Sequence, residues 1–160
     1  RLIIPFELDG KVVFFQARAL NSRQVPKYLN FKGMKCSDIL YPFDIDSEEL
    51  YVTEGVLCCK TLRSLNINAT CINGSYVSKE QAYQLKQFEG KLILAVDNDD
   101  AGKECIRTFE KTRKDLMMPP FWVASPEPKF KDWNEQYVKG RPVKMEPRLY
   151  DWYYPLLNEL

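Results

Sequence analysis

"KLILAVDNDDAGKE", residues 91–104, runs from an unbroken apolar stretch into Asp97, Asn98, Asp99 and Asp100, then into a helix-forming segment. An apolar run of this length, bounded by turn-forming polar residues, reads as a strand buried on both faces. The same unit recurs on either side of it. Strands are expected at 50–53, 69–72, 91–96 and 121–124, with helices at about 56–66, 79–88 and 101–117. That alternation predicts an α/β fold with a parallel sheet flanked by helices. Ser78 with Gln81 forms a capping-box pair for the second helix, and Pro119-Pro120 stops the third. Upstream, "RLIIPFELDGKVVFFQARAL" (1–20) reads as two strands joined at Asp9-Gly10, a small antiparallel N-terminal lobe. The stretch carrying Pro26, Gly33 and Pro42 reads as loop. The tail from 141 is broken by prolines and rich in aromatics, which suits a linker or a docking segment. Three units are expected: a basic lobe at 1–45, the α/β domain at 46–140 and the tail at 141–160.

At 160 residues and 45% hydrophobic content, the chain has enough material for one real core. Arg1 stands where an initiator Met is expected, with no leader after it, so the chain reads as part of a longer protein. No apolar run approaches the roughly 20 residues of a membrane-spanning helix. Five cysteines without paired spacing, and no histidine, argue against a disulfide framework or a zinc site and for a reducing compartment. Residues 1–35 carry seven Lys/Arg against two Asp/Glu, whereas the remainder carries sixteen against twenty. This basic front is interleaved with Phe14, Phe15, Tyr28 and Phe31, a mixture suited to single-stranded nucleic acid, although composition alone favours core aromatics and solvated lysines.

In an open α/β sheet, side chains at the carboxyl ends of the strands face a shared crevice. Glu54, before Gly55, and the pair Asp97 and Asp99 fall at two such ends. Alternate residues of extended chain point the same way, so Asp97 and Asp99 are expected on one face. Clustered carboxylates repel each other unless a cation lies between them. Oxygen ligands without His or Cys suit Mg²⁺ or Mn²⁺, which commonly accompany phosphate-bearing substrates. The competing reading makes Asp99 or Asp100 simply the cap of the helix that follows.

Glu-Gly at one strand end, followed about forty residues later by Asp-x-Asp at another, resembles the Toprim domain of primases, topoisomerases and some nucleases. "RLIIPF", "FFQARAL", "PKYLN" (26–30), "LYPFD" (40–44), "VTEG" (52–55), "DNDDAG" (97–102) and "KDWNE" (131–135) extend that likeness. In order and spacing they resemble the catalytic core of DnaG-type bacterial and phage primases over residues 1–140. The resemblance implies a Toprim-type fold with Glu54, Asp97 and Asp99 as catalytic, metal-binding acids and Asp132 as a further acid beside the metals. It implies that Arg18 and Lys27 contact template or nucleotide, with Asn30 in the same loop, while Phe14 remains core. Gly55 and Gly102 fit tight turns beside the site. One position departs from the pattern: where the family commonly has an Asp four residues after the Glu, this chain has Cys58 in "EGVLC". A thiol is a poor Mg²⁺ ligand, and Asp100 is the candidate substitute.

The activity so implied is synthesis of short RNA primers. A ribonucleotide 3′ hydroxyl attacks the α-phosphate of the next ribonucleoside triphosphate on a single-stranded DNA template, with Mg²⁺ or Mn²⁺ as cofactor. A replicative helicase, fused or separate, is the implied protein partner, and the cytoplasm of a bacterial or phage-infected cell the implied location. The same acids suit a Toprim nuclease, and Cys58 suits a decayed module that only binds DNA. A topoisomerase fits less well, since no Tyr stands out as a nucleophile.

Overall fold

The computed structural model describes residues 1–8, 10–33, 35–43 and 46–150. Its centre is a five-stranded sheet in the order β5-β4-β6-β7-β8. The strands are β4 (Glu49–Thr53), β5 (Ala69–Cys71), β6 (Lys91–Ala95), β7 (Trp122–Ala124) and β8 (Arg148–Leu149). The first four run parallel and β8 lies antiparallel on β7. The connecting helices are α1 (Val56–Ser64), α2 (Lys79–Leu85) and α3 (Asp100–Asp115). A shorter α4 (Trp133–Val138) precedes β8.

Strand periodicity sorts the core into two layers. Leu50 and Val52 of β4 and Leu92 and Leu94 of β6 pack with Ala82 and Leu85 of α2 and Ile106 and Phe109 of α3. Their alternates Tyr51, Ile93 and Ala95 pack with Val56, Cys59 and Leu62 of α1 and with Trp133 of α4. Both sheet faces are therefore covered, as the continuous apolar runs require. Ser78 and Gln81 form the expected capping box.

The N-terminal lobe is a three-stranded antiparallel sheet of β1 (Leu2–Leu8), β2 (Lys11–Arg18) and β3 (Tyr28–Asn30), in that order. Gly10 at the hairpin has φ +73°, a conformation open to glycine; Asp9 lies outside the described residues. Phe6 and Phe14 meet edge to face at 5.1 Å and join the α1/α4 side of the main core, so Phe14 is core as expected. Three elements differ from the sequence reading. Residues 28–30, expected within a loop, pair as β3; α4 follows "KD"; and β8 lies in the segment expected as linker. These pieces span only two to six residues, too few for a period to register. Tyr150, just after β8, is buried and stacks on Phe121 at 4.8 Å. The rest of the tail, 151–160, lies outside the described residues, as does Asp44 of "LYPFD".

Candidate metal and nucleotide site

The carboxyl ends of β4 and β6 open into a cleft of about 290 Å³ between the main sheet and the lobe. One wall carries Gln16, Arg18, Lys27, Tyr28 and Asn30; the other carries Glu54, Cys58, Asp97, Asp132 and Asn134. Gln16 and Arg18 alternate along β2 and so share its cleft-facing side. Asn73 and Gly74, just past the end of β5, complete the rim. Six of the seven residues singled out from sequence therefore line one cleft. Asp99, the seventh, lines a neighbouring cleft of about 810 Å³, with Asp97 on the boundary of both.

Glu54 follows β4 directly, and its Oε1 accepts a hydrogen bond from the Asp97 backbone N–H at 3.0 Å, locking the two strand ends together. Gly102 makes this approach possible. A Cβ there would lie 2.2 Å from the Asp97 carbonyl oxygen and 3.1 Å from Glu54 Oε1. Burial raises the Glu54 pKa, opposed by the Asp97 N–H and reinforced by Asp99. Asp97 is pushed up to about 7, first by burial and then by the charges of Glu54, Asp132 and Asp99, with Lys131 opposing.

Asp99 fulfils the capping reading. Its Oδ1 accepts from the Gly102 N–H at 3.0 Å at the start of α3, and its Oδ2 lies 3.1 Å from Lys131 Nζ. Burial alone pushes its pKa up, but these two partners outweigh that and hold it below the usual carboxylate range. Asp132 caps α4, accepting from the Glu135 N–H at 2.7 Å. Asp100 does not stand in for the missing acid: its side chain is fully exposed and pairs with Lys103 at 3.6 Å.

Cys58 is buried in α1, with its Sγ 4.0 Å from Asp97 Oδ1. Burial, then the Asp97 charge, push its thiol up to about 12, so it stays protonated beside the acids.

Among the described residues, no three His, Cys, Asp or Glu side chains converge as a ready-made metal group. The donor set nonetheless suits a hard divalent cation. Glu54, Asp97 and Asp132 offer oxygen alone, and Asp97 is raised first by burial and then by the negative charges of Glu54, Asp132 and Asp99 around it. Glu54, Asp97 and Asp132 share one cleft, whereas Asp99 lines the neighbouring one with its oxygens taken by the Gly102 N–H and Lys131.

The sequence reading assigned no role to Gln16, Asn73, Asn134 or Lys131, and took Tyr28 only as one of the aromatics of the basic front. Tyr28 orders Arg18, accepting a 2.6 Å hydrogen bond from Arg18 Nη1 while the guanidinium carbon sits 4.9 Å from its ring centroid. Asn73-Gly74 was recoverable by the strand-end rule that located Glu54 and Asp97. Lys131 reaches Asp99 through a loop reversal that no linear pattern encodes.

A Toprim-like family model matches residues 51–137, more than half of the chain. The DNA primase of Clostridium acetobutylicum is 31% identical over 125 residues, covering 71% of this chain and 21% of that protein. The chain thus spans about a fifth of the length of that relative. Among solved structures, a DNA primase domain from Pseudomonas aeruginosa superposes with a TM-score of 0.77 at 18% identity, covering 95% of this chain and 53% of the other. The primase fragment of the bacteriophage T7 primase-helicase protein gives 0.65 at 20% identity, covering 86% and 58%. The chain belongs to the Toprim-like family, and its fold is that of a primase catalytic core.

Proposed function

We propose that this chain carries the catalytic centre of a DNA primase, which joins ribonucleoside triphosphates into short primers on a single-stranded DNA template. One observation carries this reading: the cleft sets Arg18, Lys27, Tyr28 and Asn30 against Glu54, Asp97 and Asp132. Cations on one wall suit a nucleic-acid or triphosphate backbone, and carboxylates on the other suit the divalent ions that such phosphates bring. Mg²⁺ or Mn²⁺ bound there supplies Lewis-acid chemistry, lowering the pKa of the attacking hydroxyl and neutralising charge on the phosphates.

The chain's own residues divide the remaining work. Glu54 and Asp97 hold the ion, with Asp132 beside it and Asp99 joining from the adjoining cleft. Arg18, steadied by Tyr28, presents a planar fork to phosphate oxygens, whereas Lys27 supplies a mobile point charge. Asn30 offers an amide at the same wall. In this reading residues 1–45 form the template-binding lobe, 46–140 the Toprim domain and 141–160 a connection onward. A replicative helicase is the proposed partner, supported by the T7 neighbour being a primase-helicase protein. No helix among the described residues is long and apolar enough to cross a membrane, in keeping with a proposed cytoplasmic site of action.

The test is primer synthesis from labelled ribonucleotides on single-stranded DNA with Mg²⁺ or Mn²⁺, comparing the chain with Asp97→Asn. Metal-dependent extension that the substitution abolishes is expected. Strand shortening without extension would favour a Toprim nuclease.

A second reading, a DNA-binding module with a decayed centre, is favoured by the protonated Cys58 thiol where the family commonly places an acid. It predicts no specific Mg²⁺ uptake by calorimetry and no gain from Cys58→Asp. The primase reading predicts tighter metal binding in that variant.

A further inference from the structure

We infer that Asn98, the middle residue of the Asp97-Asn98-Asp99 run, is a positioning residue that sets the acid and the lysine of the 126–132 segment against the carboxylates at the end of β6. The inference rests on the metal-site reading above.

The geometry around Asn98 is unlike that of its neighbours. Its Nδ2 donates to the carbonyl oxygens of Pro126 at 3.0 Å, Glu127 at 3.1 Å and Phe130 at 2.9 Å. Its backbone N–H donates to the Lys131 carbonyl at 2.7 Å. Two N–H bonds thus serve three carbonyls, and a segment about thirty residues away is gathered onto the Asp97-Asp99 turn. Asn98 lies in the bend between β6 and α3, where its amide turns to the loop while Asp99 Oδ1 caps α3, so the alternation expected from an extended chain does not hold across these three residues. Nδ2 is consumed by this loop.

The held segment delivers two charged groups. Lys131 reaches Asp99 with its ammonium, while its backbone N–H donates to Glu135 Oε2 at 2.8 Å. Asp132, next in sequence, caps α4 and lines the cleft with Asp97. An aspartate at 98 would turn acceptor oxygens toward three carbonyl oxygens, so the amide is the group this position requires. The segment has other anchors, since Glu127 N–H donates to Gln136 Oε1 at 2.9 Å and Trp133 Nε1 to the Ala95 carbonyl at 3.2 Å. Loss of Asn98 should therefore loosen the arm and leave the fold standing.

The experiment measures Mn²⁺ affinity by electron paramagnetic resonance and amide exchange of residues 126–132 in the whole chain, for wild type, Asn98→Ala, Asn98→Ser and Asn98→Asp. Gln84→Ala, far from the acids, is the control for a general loss of stability. Residues that orient metal ligands typically affect affinity 10–100-fold, so Asn98→Ala is expected to bind Mn²⁺ roughly tenfold more weakly, with faster exchange in the loop. Asn98→Ser, retaining one donor, should fall between Asn98→Ala and wild type. Asn98→Asp should also bind more weakly despite its added carboxylate, and Gln84→Ala should bind as wild type does. Wild-type affinity in Asn98→Ala, or tighter binding in Asn98→Asp, overturns the inference. Absence of Mn²⁺ uptake by the wild-type chain is a different failure: it overturns the metal reading itself.

Discussion

The two walls of the cleft are built on opposite principles. Glu54 and Asp97 emerge from β4 and β6, strands with both faces covered, so their separation is set by the packed interior of the main sheet. Arg18 and Asn30 stand on a small three-stranded sheet and Lys27 just before its third strand, and Lys27, Leu29 and Asn30 are exposed. That sheet reaches the main body through Ile4, Phe6 and Phe14, and the 36–39 connector that follows it is tied to α2 by a polar seam. In the seam, Gln81 Nε2 donates to the carbonyls of Cys36 at 3.3 Å, Ile39 at 2.9 Å and Ile72 at 2.9 Å. Gln84 adds a bond from its Nε2 to the Asp38 carbonyl at 2.9 Å. The difference teaches where each kind of accuracy is needed. Carboxylates that share an ion need a spacing fixed to a fraction of an ångström, whereas cations that follow a flexible polyanion need reach.

The largest effect should come from disturbing the rigid wall. Trp133 is fully buried, bonds to the Ala95 carbonyl and directly follows Asp132. Trp133→Ala should cost about 3–5 kcal/mol, the usual range for emptying a buried aromatic site. A lowered urea midpoint is the readout. The seam comes next. Gln81→Ala removes the donor to three carbonyls, two of them in the 36–39 segment, and should cost about 2–3 kcal/mol. Its signature should be faster amide exchange in the lobe than in β4 and β6. If exchange rises equally in both, the two walls form one cooperative unit and the contrast between them fails.

The main sheet was legible in the sequence because burial on both faces leaves long apolar runs at 50–53, 91–96 and 121–124, and because Ser78 and Asp99 announce helices by their chemistry. The acids were legible because strand ends can be counted. The rest escaped for physical reasons. β3 and β8 derive their pairing from tertiary neighbours rather than from any local period. α4 has Asp132 and Glu135 as start signals but spans only six residues, too short a run for a helical period. Lys131 and Asn98 take their roles from a loop that folds back across the end of β6, a contact between residues about thirty apart. Asp99 shows the converse, since the cap and the candidate ligand are one side chain, a duality that sequence can state and only geometry can apportion.

A smaller effect, opposite in sign, is expected at the acid wall itself. The Asp97 pKa lies at about 7 in the folded chain, against an ordinary 3.8. A carboxyl raised on folding contributes stability that is fully present below the unfolded value and lost as pH rises through the folded one. In the presence of a chelator, wild type should therefore lose stability between about pH 4 and 7 relative to Asp97→Asn, which stays neutral throughout. The full shift corresponds to roughly 4 kcal/mol; partial solvent access reduces the expectation to about 1–2 kcal/mol in favour of Asp97→Asn above pH 7. Denaturant midpoints for both proteins across this range are the check. A difference independent of pH would mean that the acid wall is not charge-strained and that its rigidity serves packing alone.

The smallest effect, about 1 kcal/mol or a few-fold in affinity at moderate salt, is expected at the open wall. Arg18 is half-buried and ordered by Tyr28, whereas Lys27 is exposed, so the pair should bind single-stranded DNA chiefly through charge. Each phosphate contact contributes a slope of about −0.7 in log K against log salt for single strands. Replacing both residues by Ala should flatten the slope by about 1.4 and weaken binding to all sequences alike, while Mn²⁺ uptake at Glu54 and Asp97 stays near wild type. Arg18→Lys separates charge from geometry: it should keep the slope but lose affinity, because an ammonium cannot reproduce the guanidinium fork held by Tyr28. Fluorescence anisotropy with a labelled oligonucleotide at several salt concentrations reads all three proteins. An unchanged slope in the double variant would place the nucleic-acid path elsewhere. A parallel loss of metal binding would show that the two walls are mechanically coupled, the rigid one depending on the open one.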